Sequence, residues 1–369
     1  MPLKDTIFRQ YGIRGRAHVD GELTPDNVTR IVNALLASKP TQGALIIGAD
    51  HRSSSNEFRS IAVATAAAAG RKVVDIGTLT TPMLYFAQFY LHIPVGIMLT
   101  ASHDPDDWNG FILADGFLST LVDAGIRDIR DLAAAGARPE LRGDGDIRQV
   151  DLAEDYIHAI ACRVTCGERR FKVIVDCGNG TAGLVAPALF ERMGVDVVPL
   201  FCDPDWRFPN HSPDPSNPGT RAAARAAVLA HGADLALLFD GDGDRLGVID
   251  DRGEDVTTDQ LLAFFSLRLL AEGQAPTVVS DVRFPQVLEA LLAERGGRSI
   301  LCEAGYPHLK RKSMEAPADL AGERRGHICI FENRWFGFDD ALFAAGYLLE
   351  CLSRGEASLS ERLRQQAVR

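Results

Sequence analysis

The stretch Asp240-Gly241-Asp242-Gly243-Asp244-Arg245 stands between two apolar runs, ALLF at 236–239 and LGVI at 246–249. The apolar runs predict two strands, and the stretch between them predicts a tight loop. Alternating small residues let such a loop turn its three carboxylates inward. Like charges this close repel one another unless a hard divalent cation neutralises them. The sequence therefore predicts a metal-binding loop with Asp240, Asp242 and Asp244 as ligands.

Two other interpretations of this loop are an EF-hand calcium site and a solvated acidic turn. An EF-hand needs glycine at its sixth position and glutamate at its twelfth. This chain has Arg245 and Asp251 at those positions, and the flanks read as strands, so the EF-hand is excluded. Arg245 also argues against a solvated turn, because a cation beside a metal loop indicates an anionic ligand such as phosphate.

The composition is that of a globular protein with two or three domains. The chain has 369 residues, of which 46% are hydrophobic and 24% charged, and its net charge is −11. This charge argues against a nucleic-acid or anionic-membrane partner. We find neither an apolar run of membrane-spanning length nor a signal-peptide core. The seven cysteines are scattered without a C-x-x-C pair, which predicts reduced cytoplasmic thiols and argues against zinc.

Strand-like and helix-like segments alternate along the chain and predict an α/β fold. We expect three consecutive α/β domains, with mixed sheets covered by helices, around a central cleft. The predicted boundaries are 1–150, 151–252 and 253–369, and the Gly-, Pro- and acid-rich segment 136–145 suits the first junction. The clearest strands are predicted at 44–47, 72–75, 95–99, 172–176 and 277–280, and the clearest helices at 27–38, 58–69, 260–270 and 338–352.

Two segments of the first domain follow predicted strands and carry polar groups. Thr100-Ala101-Ser102-His103-Asp104-Pro105 cannot continue as a helix through its proline, and a serine on such a turn beside a histidine suits a nucleophile or phosphate carrier. Alone the signal is weak, because a hydrolase triad needs a third partner and no G-x-S-x-G elbow exists. In the second segment, 50–55, the serines predict a helix cap.

The segment 178–183, Gly-Asn-Gly-Thr-Ala-Gly, matches the G-x-G-x-x-G pattern after a predicted strand. It predicts either a dinucleotide-binding turn, with Asp203 at a suitable distance beyond it, or a strand-to-helix turn whose glycines permit close packing. The pattern alone leaves both interpretations open.

Four motifs, in this order, resemble those of the α-D-phosphohexomutase family, in particular its bacterial phosphomannomutase/phosphoglucomutase branch. They are TASHDP at 100–105 (usually TASHNP), DGDGDR at 240–245, GERRGH at 322–327 (usually GEMSGH) and RWFGFDD at 334–340. Supporting matches lie at 8–15 (usually FRxYDIRG), 176–183 and 208–215. The resemblance spans nearly the whole chain, and it implies that the glycine turn at 178–183 binds no dinucleotide.

The resemblance implies a phosphohexomutase that interconverts the 1-phosphate and 6-phosphate of mannose or glucose. Its implied catalytic residues are Ser102, as a phosphoserine, with His103 and Arg245. Mg²⁺ would be held by the three aspartates and the phosphate on Ser102, and a hexose 1,6-bisphosphate would act as activator. The implied substrate contacts are Arg14, Gly305, Tyr306, Glu323, Arg325 and His327.

Several positions depart from the family pattern. Ile112 stands where the family usually has a lysine that serves in proton transfer, and Arg283 replaces another lysine. The usual G-H-S reads Gly-Tyr-Pro at 305–307, and Arg325 replaces the serine of GEMSGH. Family members normally continue into a fourth domain, with a phosphate clamp, beyond the point where this chain stops, so we expect either that this domain was removed or that the chain is a naturally short paralogue.

Two hypotheses of function follow from these matches and departures. The first is an active mutase, which the intact Ser102, His103 and DGDGDR motif favour. The second is a catalytically impaired paralogue that binds metal, a phosphosugar or a complete mutase, which Ile112 and the expected loss of the fourth domain favour. The sequence does not indicate which sugar epimer is preferred or the oligomeric state.

Overall fold

The computed structural model describes residues 3–38, 43–140, 145–284, 287–331 and 334–367. The chain divides into two compact units, residues 1–153 with 205–207 and residues 154–204 with 208–369. The described part contains three sheets, one of eight strands in the first unit and sheets of five and four strands in the second. All three are mixed sheets with helices between their strands, which confirms the predicted fold class. The predicted domain boundaries and the cleft stay predictions.

The first unit is built on strands with the order β1-β2-β6-β5-β3-β4-β8, and β7 pairs with β6. These strands are β1 (Phe8–Arg9), β2 (Gly12–Arg16), β3 (Leu45–Ala49), β4 (Lys72–Thr78), β5 (Gly96–Leu99), β6 (Trp108–Gly116), β7 (Ser119–Thr120) and β8 (Asp146–Gln149). The helices are α1 (Pro25–Ser38), α2 (Ser55–Ala68), α3 (Thr81–Leu91) and α4 (Ala124–Ala134).

Helices cover both faces of this sheet, which is why β3 and β5 read as continuous apolar runs rather than alternating ones. Phe111 and Leu113 of β6 belong to the core cluster that contains residues of α1, α2 and α4. The side chain between them, Ile112, points to the opposite face because successive side chains of a strand alternate. Ile112 pairs with Met98 of β5 and is only 3% exposed.

The second unit begins at Glu154, within α5 (Ala153–Ala161), and contains two sheets. The five-stranded sheet has the order β10-β9-β11-β12-β13, and the four-stranded sheet has the order β15-β14-β16-β17. The strands are β9 (Lys172–Asp176), β10 (Asp196–Leu200), β11 (Leu235–Phe239), β12 (Leu246–Asp250), β13 (Asp255–Val256), β14 (Thr277–Asp281), β15 (Arg298–Cys302), β16 (Leu320–Gly322) and β17 (Ile328–Ile330).

The remaining helices of the second unit are α6 (Ala186–Arg192), α7 (Arg221–His231), α8 (Thr258–Ala271), α9 (Val287–Arg295), α10 (Tyr306–Glu315), α11 (Ala341–Ser353) and α12 (Leu359–Ala367). The start of α11 shows how the sequence sets these bounds. Asp340 accepts hydrogen bonds from the backbone N–H groups of Leu342 and Phe343, which satisfies two unpaired donors of the first turn. Its carboxylate also accepts from the Tyr156 hydroxyl and the Trp335 indole, which tie α5 and the 334–340 motif to this helix.

Candidate active site

Ser102 lies on the loop between β5 and β6 and is 8% exposed. Its φ angle of 48° is in the left-handed region, which a residue with a side chain rarely adopts and which marks many functional sites. The Ser102 N–H donates to Thr100 Oγ1 at 2.9 Å, and Ser102 Oγ is 3.1 Å from His103 Nδ1. The structure therefore brings together the serine and the histidine that the sequence predicts to act together.

The backbone of the serine loop is held by Arg52, whose side chain is buried. Its guanidinium donates to the carbonyl oxygens of Ser102, Asp104 and Trp108 at 2.9, 2.6 and 3.1 Å, and also to that of Pro105. Arg52 Nε is 3.2 Å from an oxygen of Asp50, and Asp50 accepts the N–H of Ala101 at 3.3 Å. One buried ion pair thus fixes the loop that carries Ser102.

The prediction that serines of segment 50–55 cap a helix is wrong. Ser54 is the N-cap of α2 but its side chain makes no capping bond. The hydroxyls of Ser54 and Ser55 instead accept hydrogen bonds from Asn109 at 2.8 and 2.9 Å, and Ser55 donates to Asp50. These long-range partners outcompete the local cap because they satisfy buried polar groups that have no access to water.

Arg14 lies on β2, paired with Gly110 of β6. Its Nη1 donates to the carbonyl of Ile13 at 3.1 Å, and the guanidinium passes over Gly110, where a Cβ atom would be 2.7 Å from Nη1. Glycine at position 110 therefore makes room for Arg14. The structure places this predicted substrate contact beside β6, the strand that follows the serine loop.

The acidic loop connects β11 to β12, as predicted, and all three of its carboxylates are buried. Each of Asp240, Asp242 and Asp244 contributes one carboxylate oxygen to a group of three oxygens that lie within 4.8 Å of one another. Asp240 Oδ1 accepts the N–H groups of Asp244 and Arg245 at 3.1 and 3.2 Å, so the loop is wrapped around this side chain. As the sequence predicts, the loop of alternating aspartates and glycines brings its three carboxylates close together.

The donor set of this loop fits a hard divalent cation. All three groups offer carboxylate oxygens, which Mg²⁺ and Ca²⁺ prefer, and three buried negative charges need compensation. The nearest cation on the same loop is Arg245, whose Nε is 3.8 Å from Asp240 and 3.9 Å from Asp244. Asp240, Asp242 and Asp244 are therefore the residues that would hold a magnesium ion.

His327 joins the segment 322–327 to the acidic loop within the second unit. Its Nε2 is 3.3 Å from Asp244 Oδ1, and its Nδ1 is 2.8 Å from Glu323 Oε1. Burial alone would lower the pKa of His327, but the adjacent carboxylates of Asp244 and Glu323 raise the pKa to about 10. Burial likewise opposes ionisation of Glu323, yet its hydrogen bond with His327 lowers the Glu323 pKa to about 2.

The motif that holds His327 is fixed against β12. The Leu246 N–H donates to the carbonyl of Gly326 at 3.0 Å, and a Cβ atom on Gly326 would be 2.7 Å from the carbonyl oxygen of Leu246. Gly326 also has a φ of 104°, so glycine is required at this position. Arg283, in place of the family's lysine, donates to Glu323 Oε2 at 2.8 Å and pairs with Asp281.

The other predicted substrate contacts of the second unit lie at the start of α10. Gly305 is the N-cap with a φ of 126°, and the Tyr306 ring stacks on His327 with centroids 5.2 Å apart. Lys310, which sequence reasoning missed, is buried one turn further on and forms an ion pair of 2.6 Å with Asp339. The Arg325 side chain is exposed.

The chain matches three family models, which describe consecutive domains of the proteins of one family. They are described as phosphoglucomutase/phosphomannomutase alpha/beta/alpha domains I, II and III, and they match residues 5–136, 154–253 and 257–368. The chain belongs to the phosphoglucomutase/phosphomannomutase family. The predicted resemblance is thereby confirmed.

Several members of this family resemble the chain over nearly its full length. It is 38% identical over 357 residues to a phosphomannomutase/phosphoglucomutase of Pseudomonas aeruginosa, covering 96% of this chain and 75% of that protein. It is 33% identical over 353 residues to a phosphoglucomutase of Neisseria meningitidis serogroup A, covering 95% and 75%. A solved structure of a phosphoglucomutase/phosphomannomutase family protein from Burkholderia thailandensis superimposes with a TM-score of 0.91 and 32% identity, covering 99% of this chain and 80% of that one.

The glycine turn at 178–183 has a packing role in this member of the phosphoglucomutase/phosphomannomutase family. A Cβ atom on Gly180 would be 2.9 Å from the carbonyl oxygen of Gly241, and one on Gly183 would overlap that of Cys202. The N–H and hydroxyl of Thr181 donate to Gly241 at 3.0 and 3.2 Å. The glycines thus let the turn support the acidic loop.

No helix in the described ranges is both long and apolar enough to cross a membrane.

Proposed function

We propose that this chain is a phosphohexomutase, which interconverts the 1-phosphate and 6-phosphate of mannose or glucose through a phosphoserine at position 102. The observation that carries the proposal is the buried acidic loop, in which three carboxylates converge within 4.8 Å in a chain of this family. Relatives named phosphomannomutase/phosphoglucomutase, at 38% identity over most of the chain, support the same activity.

Phosphoryl transfer needs positioning and charge neutralisation more than covalent chemistry. Mg²⁺, when bound by the three aspartates of the acidic loop, would neutralise charge on the transferring group. His103 Nδ1, at 3.1 Å from Ser102 Oγ, is placed to exchange a proton with that oxygen when the serine gains or loses phosphate. The Arg52 ion pair keeps the serine loop rigid during this exchange, because it fixes four backbone carbonyls at once.

In the second unit, Glu323 and His327 are the proposed sugar contacts. Glu323 is ionised at neutral pH because its pKa is about 2, so it can accept hydrogen bonds from sugar hydroxyls. The carboxylates of Asp244 and Glu323 raise the pKa of His327, which favours the charged form of its ring beside the sugar contact Glu323. We propose Tyr306, Arg14, Gly305 and Arg325 as further contacts, and Arg245 as a donor to the transferring phosphate.

Ser102 carries a phosphate both before and after each reaction cycle. The bond between Ser102 Oγ and phosphorus breaks as a new bond forms from phosphorus to a free hydroxyl of the hexose monophosphate, and the proton of that hydroxyl passes to Ser102 Oγ, which gives a hexose 1,6-bisphosphate. That sugar must turn round so that its other phosphate returns to Ser102. A bisphosphate that dissociates would leave a dephosphorylated enzyme, so added hexose 1,6-bisphosphate should act as an activator.

The experiment measures conversion of glucose 1-phosphate and mannose 1-phosphate to their 6-phosphates by phosphorus NMR, with Mg²⁺ and a trace of glucose 1,6-bisphosphate. We expect conversion by the wild-type chain, none by Ser102→Ala, and full activity in Ser119→Ala, which removes an exposed hydroxyl. Intact mass after incubation with the bisphosphate should show one added phosphoryl group, absent in Ser102→Ala. Conversion that survives Ser102→Ala contradicts the proposal.

The second candidate is a catalytically impaired paralogue, and Ile112 favours it. Proton transfer is worth about 10²–10⁴-fold in rate, and a buried isoleucine cannot contribute to it. This candidate predicts binding of metal and phosphosugar with very slow conversion. Turnover near an ordinary ~10 s⁻¹ would exclude it.

A further inference from the structure

A cavity of about 630 Å³ in the second unit is lined by an excess of arginines. It lies between the beginning of α8 and the loop at 322–327. Its lining contains the four arginines 221, 283, 324 and 325 against one carboxylate, that of Asp259. This concentration of positive charge is unusual in a chain whose net charge is −11, and it attracts anions to this part of the surface.

The four arginines differ in how their charge is balanced. Arg221 Nη1 is 3.3 Å from Asp255, and Arg283 pairs with Asp281 and Glu323. Arg324 and Arg325 are exposed, and neither side chain forms a hydrogen bond or an ion pair with any residue that the structure describes. Two guanidinium groups at the mouth of the cavity are thus available for a ligand, while the other two add a fixed positive wall.

The beginning of α8, which also lines the cavity, adds positive potential. Thr257, Thr258 and Asp259 line the cavity at the beginning of α8, a helix of 14 residues. The first turn of a helix carries a partial positive charge from its N–H groups. This partial charge adds to the larger positive charge of the four arginines.

The cavity is joined to the candidate active site by a chain of contacts. Arg283 donates to Glu323 at 2.8 Å, Glu323 is 2.8 Å from His327, and His327 is 3.3 Å from Asp244. Leu246 and Gly326, whose backbones are hydrogen-bonded, also line the cavity. A ligand held at the loop 322–327 therefore has this cavity as its neighbour.

We propose that the cavity binds the phosphate of the substrate that is not being transferred, with Arg324 and Arg325 as its main ligands. This inference rests on the proposed function, because it assigns one of the two phosphates of the bisphosphorylated sugar. Guanidinium groups suit the role because their fork of N–H donors matches phosphate oxygens. The two arginines stand where the motif usually has methionine and serine, so the site belongs to this chain rather than to the general pattern.

The test is a calorimetric titration with glucose 1,6-bisphosphate, glucose 1-phosphate and glucose, in a Ser102→Ala background that prevents phosphoryl transfer. The parent should bind the bisphosphate more tightly than the monophosphate. The double variant Arg324→Gln/Arg325→Gln should lose about 10- to 100-fold in affinity for the bisphosphate, since hydrogen bonds to charged groups are worth about 1.5–3 kcal/mol each. The lysine pair Arg324→Lys/Arg325→Lys should recover part of this loss.

A matched control replaces two exposed arginines outside the cavity, Arg252→Gln/Arg298→Gln, with the same change of net charge. It should bind the bisphosphate like the parent. Equal affinities of the Arg324/Arg325 variant and this control overturn the inference, and so does a parent that binds monophosphate as tightly as bisphosphate. Because binding is measured without turnover, a chain that keeps the preference but fails the NMR assay refutes the proposed function and leaves this phosphate site standing.

Discussion

At the scale of single residues, Asp242 carries the clearest test of the acidic loop. Asp242→Asn should weaken Mg²⁺ binding by about tenfold or more, because the charge of the ligand set governs affinity for such ions. Mg²⁺ that binds only the folded state raises the melting temperature, and this rise should be smaller in the variant.

The control for this prediction is Asp196→Asn, which removes an exposed carboxylate at the start of β10. It should show the same rise in melting temperature with Mg²⁺ as the wild type. An equal rise in Asp242→Asn would mean that the acidic loop is not the metal site.

Ile112 gives a second residue-scale prediction, because the resemblance favours a lysine there while the structure buries the position. Ile112→Lys must bury an ammonium group in the sheet, so we expect a loss of several kcal/mol in the free energy of unfolding at neutral pH. Burial lowers the lysine pKa in the folded state below its unfolded value of about 10.4. The loss in the free energy of unfolding is therefore complete at pH values below the pKa of the lysine in the folded state. It becomes smaller as the pH rises towards the pKa of the lysine in the unfolded state.

The measurement is urea unfolding of wild type, Ile112→Lys and Ile112→Met at about pH 7 and about pH 10. The methionine variant keeps an apolar side chain and should stay close to the wild type at both values. A lysine variant as stable as the methionine one at neutral pH would show that the ammonium group finds a compensating partner.

At the scale of elements, Glu22 ties β2 to the segments before and after it. It accepts the Arg16 N–H at 2.7 Å, the Arg16 guanidinium at 2.9 Å and the Lys4 ammonium at 3.1 Å. The hydrogen bond from the Arg16 side chain, with those from its N–H and from Lys4, overcomes partial burial and lowers the Glu22 pKa to about 2.

A folded pKa below the unfolded value stabilises the protein above the unfolded pKa, and this contribution is lost as the pH falls through the folded pKa. Glu22→Gln should therefore cost about 1–2 kcal/mol at neutral pH, allowing for solvent screening of its exposed partners. Urea midpoints of the two proteins should converge between about pH 4.5 and about pH 2. A difference that stays constant over this range would exclude ionisation of Glu22 as its cause.

The glycine turn at 178–183 is the second feature at the element scale. Gly183→Ala would force a methyl group into the carbonyl of Cys202, so we expect a loss of about 1–3 kcal/mol in the free energy of unfolding. Gly43→Ala is the matched control, since a Cβ there meets no atom within 4 Å. Thermal melts that show no difference between the two variants would contradict a packing role for the turn.

At the scale of the whole molecule, local pattern predicted the elements well and their partners poorly. Apolar runs located β9, β11 and β12 within a residue, because buried strands need continuous apolar sequence. Motif resemblance predicted Glu323 and His327 as substrate contacts, and the structure places His327 Nε2 3.3 Å from Asp244 of the acidic loop. The strand β6 escaped prediction because polar residues around Asn109 mask its beginning. Asn109 is polar because its side chain donates hydrogen bonds to the hydroxyls of Ser54 and Ser55, which lie more than 50 positions earlier in the chain.

Arg52 shows the same limit. Its partners lie 50 to 56 residues further along the chain, and nothing in segment 50–55 distinguishes a buried arginine from a solvated one. Lys310 and Asp339 are likewise paired only by the tertiary fold. Sequence pattern indicates how a residue fits its own helix or strand. Arg52, Lys310 and Asp339 instead bind partners that are distant in the sequence, which local pattern does not indicate.

The hairpin of β11 and β12 also has a consequence for how the protein folds. The two strands are joined by a short loop, so their contacts cost little chain entropy and can form early. His327, which compensates Asp244, lies 82 residues beyond Arg245 in the chain and arrives later. Until then the hairpin must hold three negative charges together, and Mg²⁺ can remove that repulsion in the transition state.

We therefore expect Mg²⁺ to raise the refolding rate of the wild type in stopped-flow experiments and to leave that of Asp242→Asn unchanged. If the cation alters only the unfolding rate, the loop acquires its metal after the barrier is crossed. In the first case, the ion that we propose for the acidic loop also assists folding, and the rate of folding depends on the magnesium concentration.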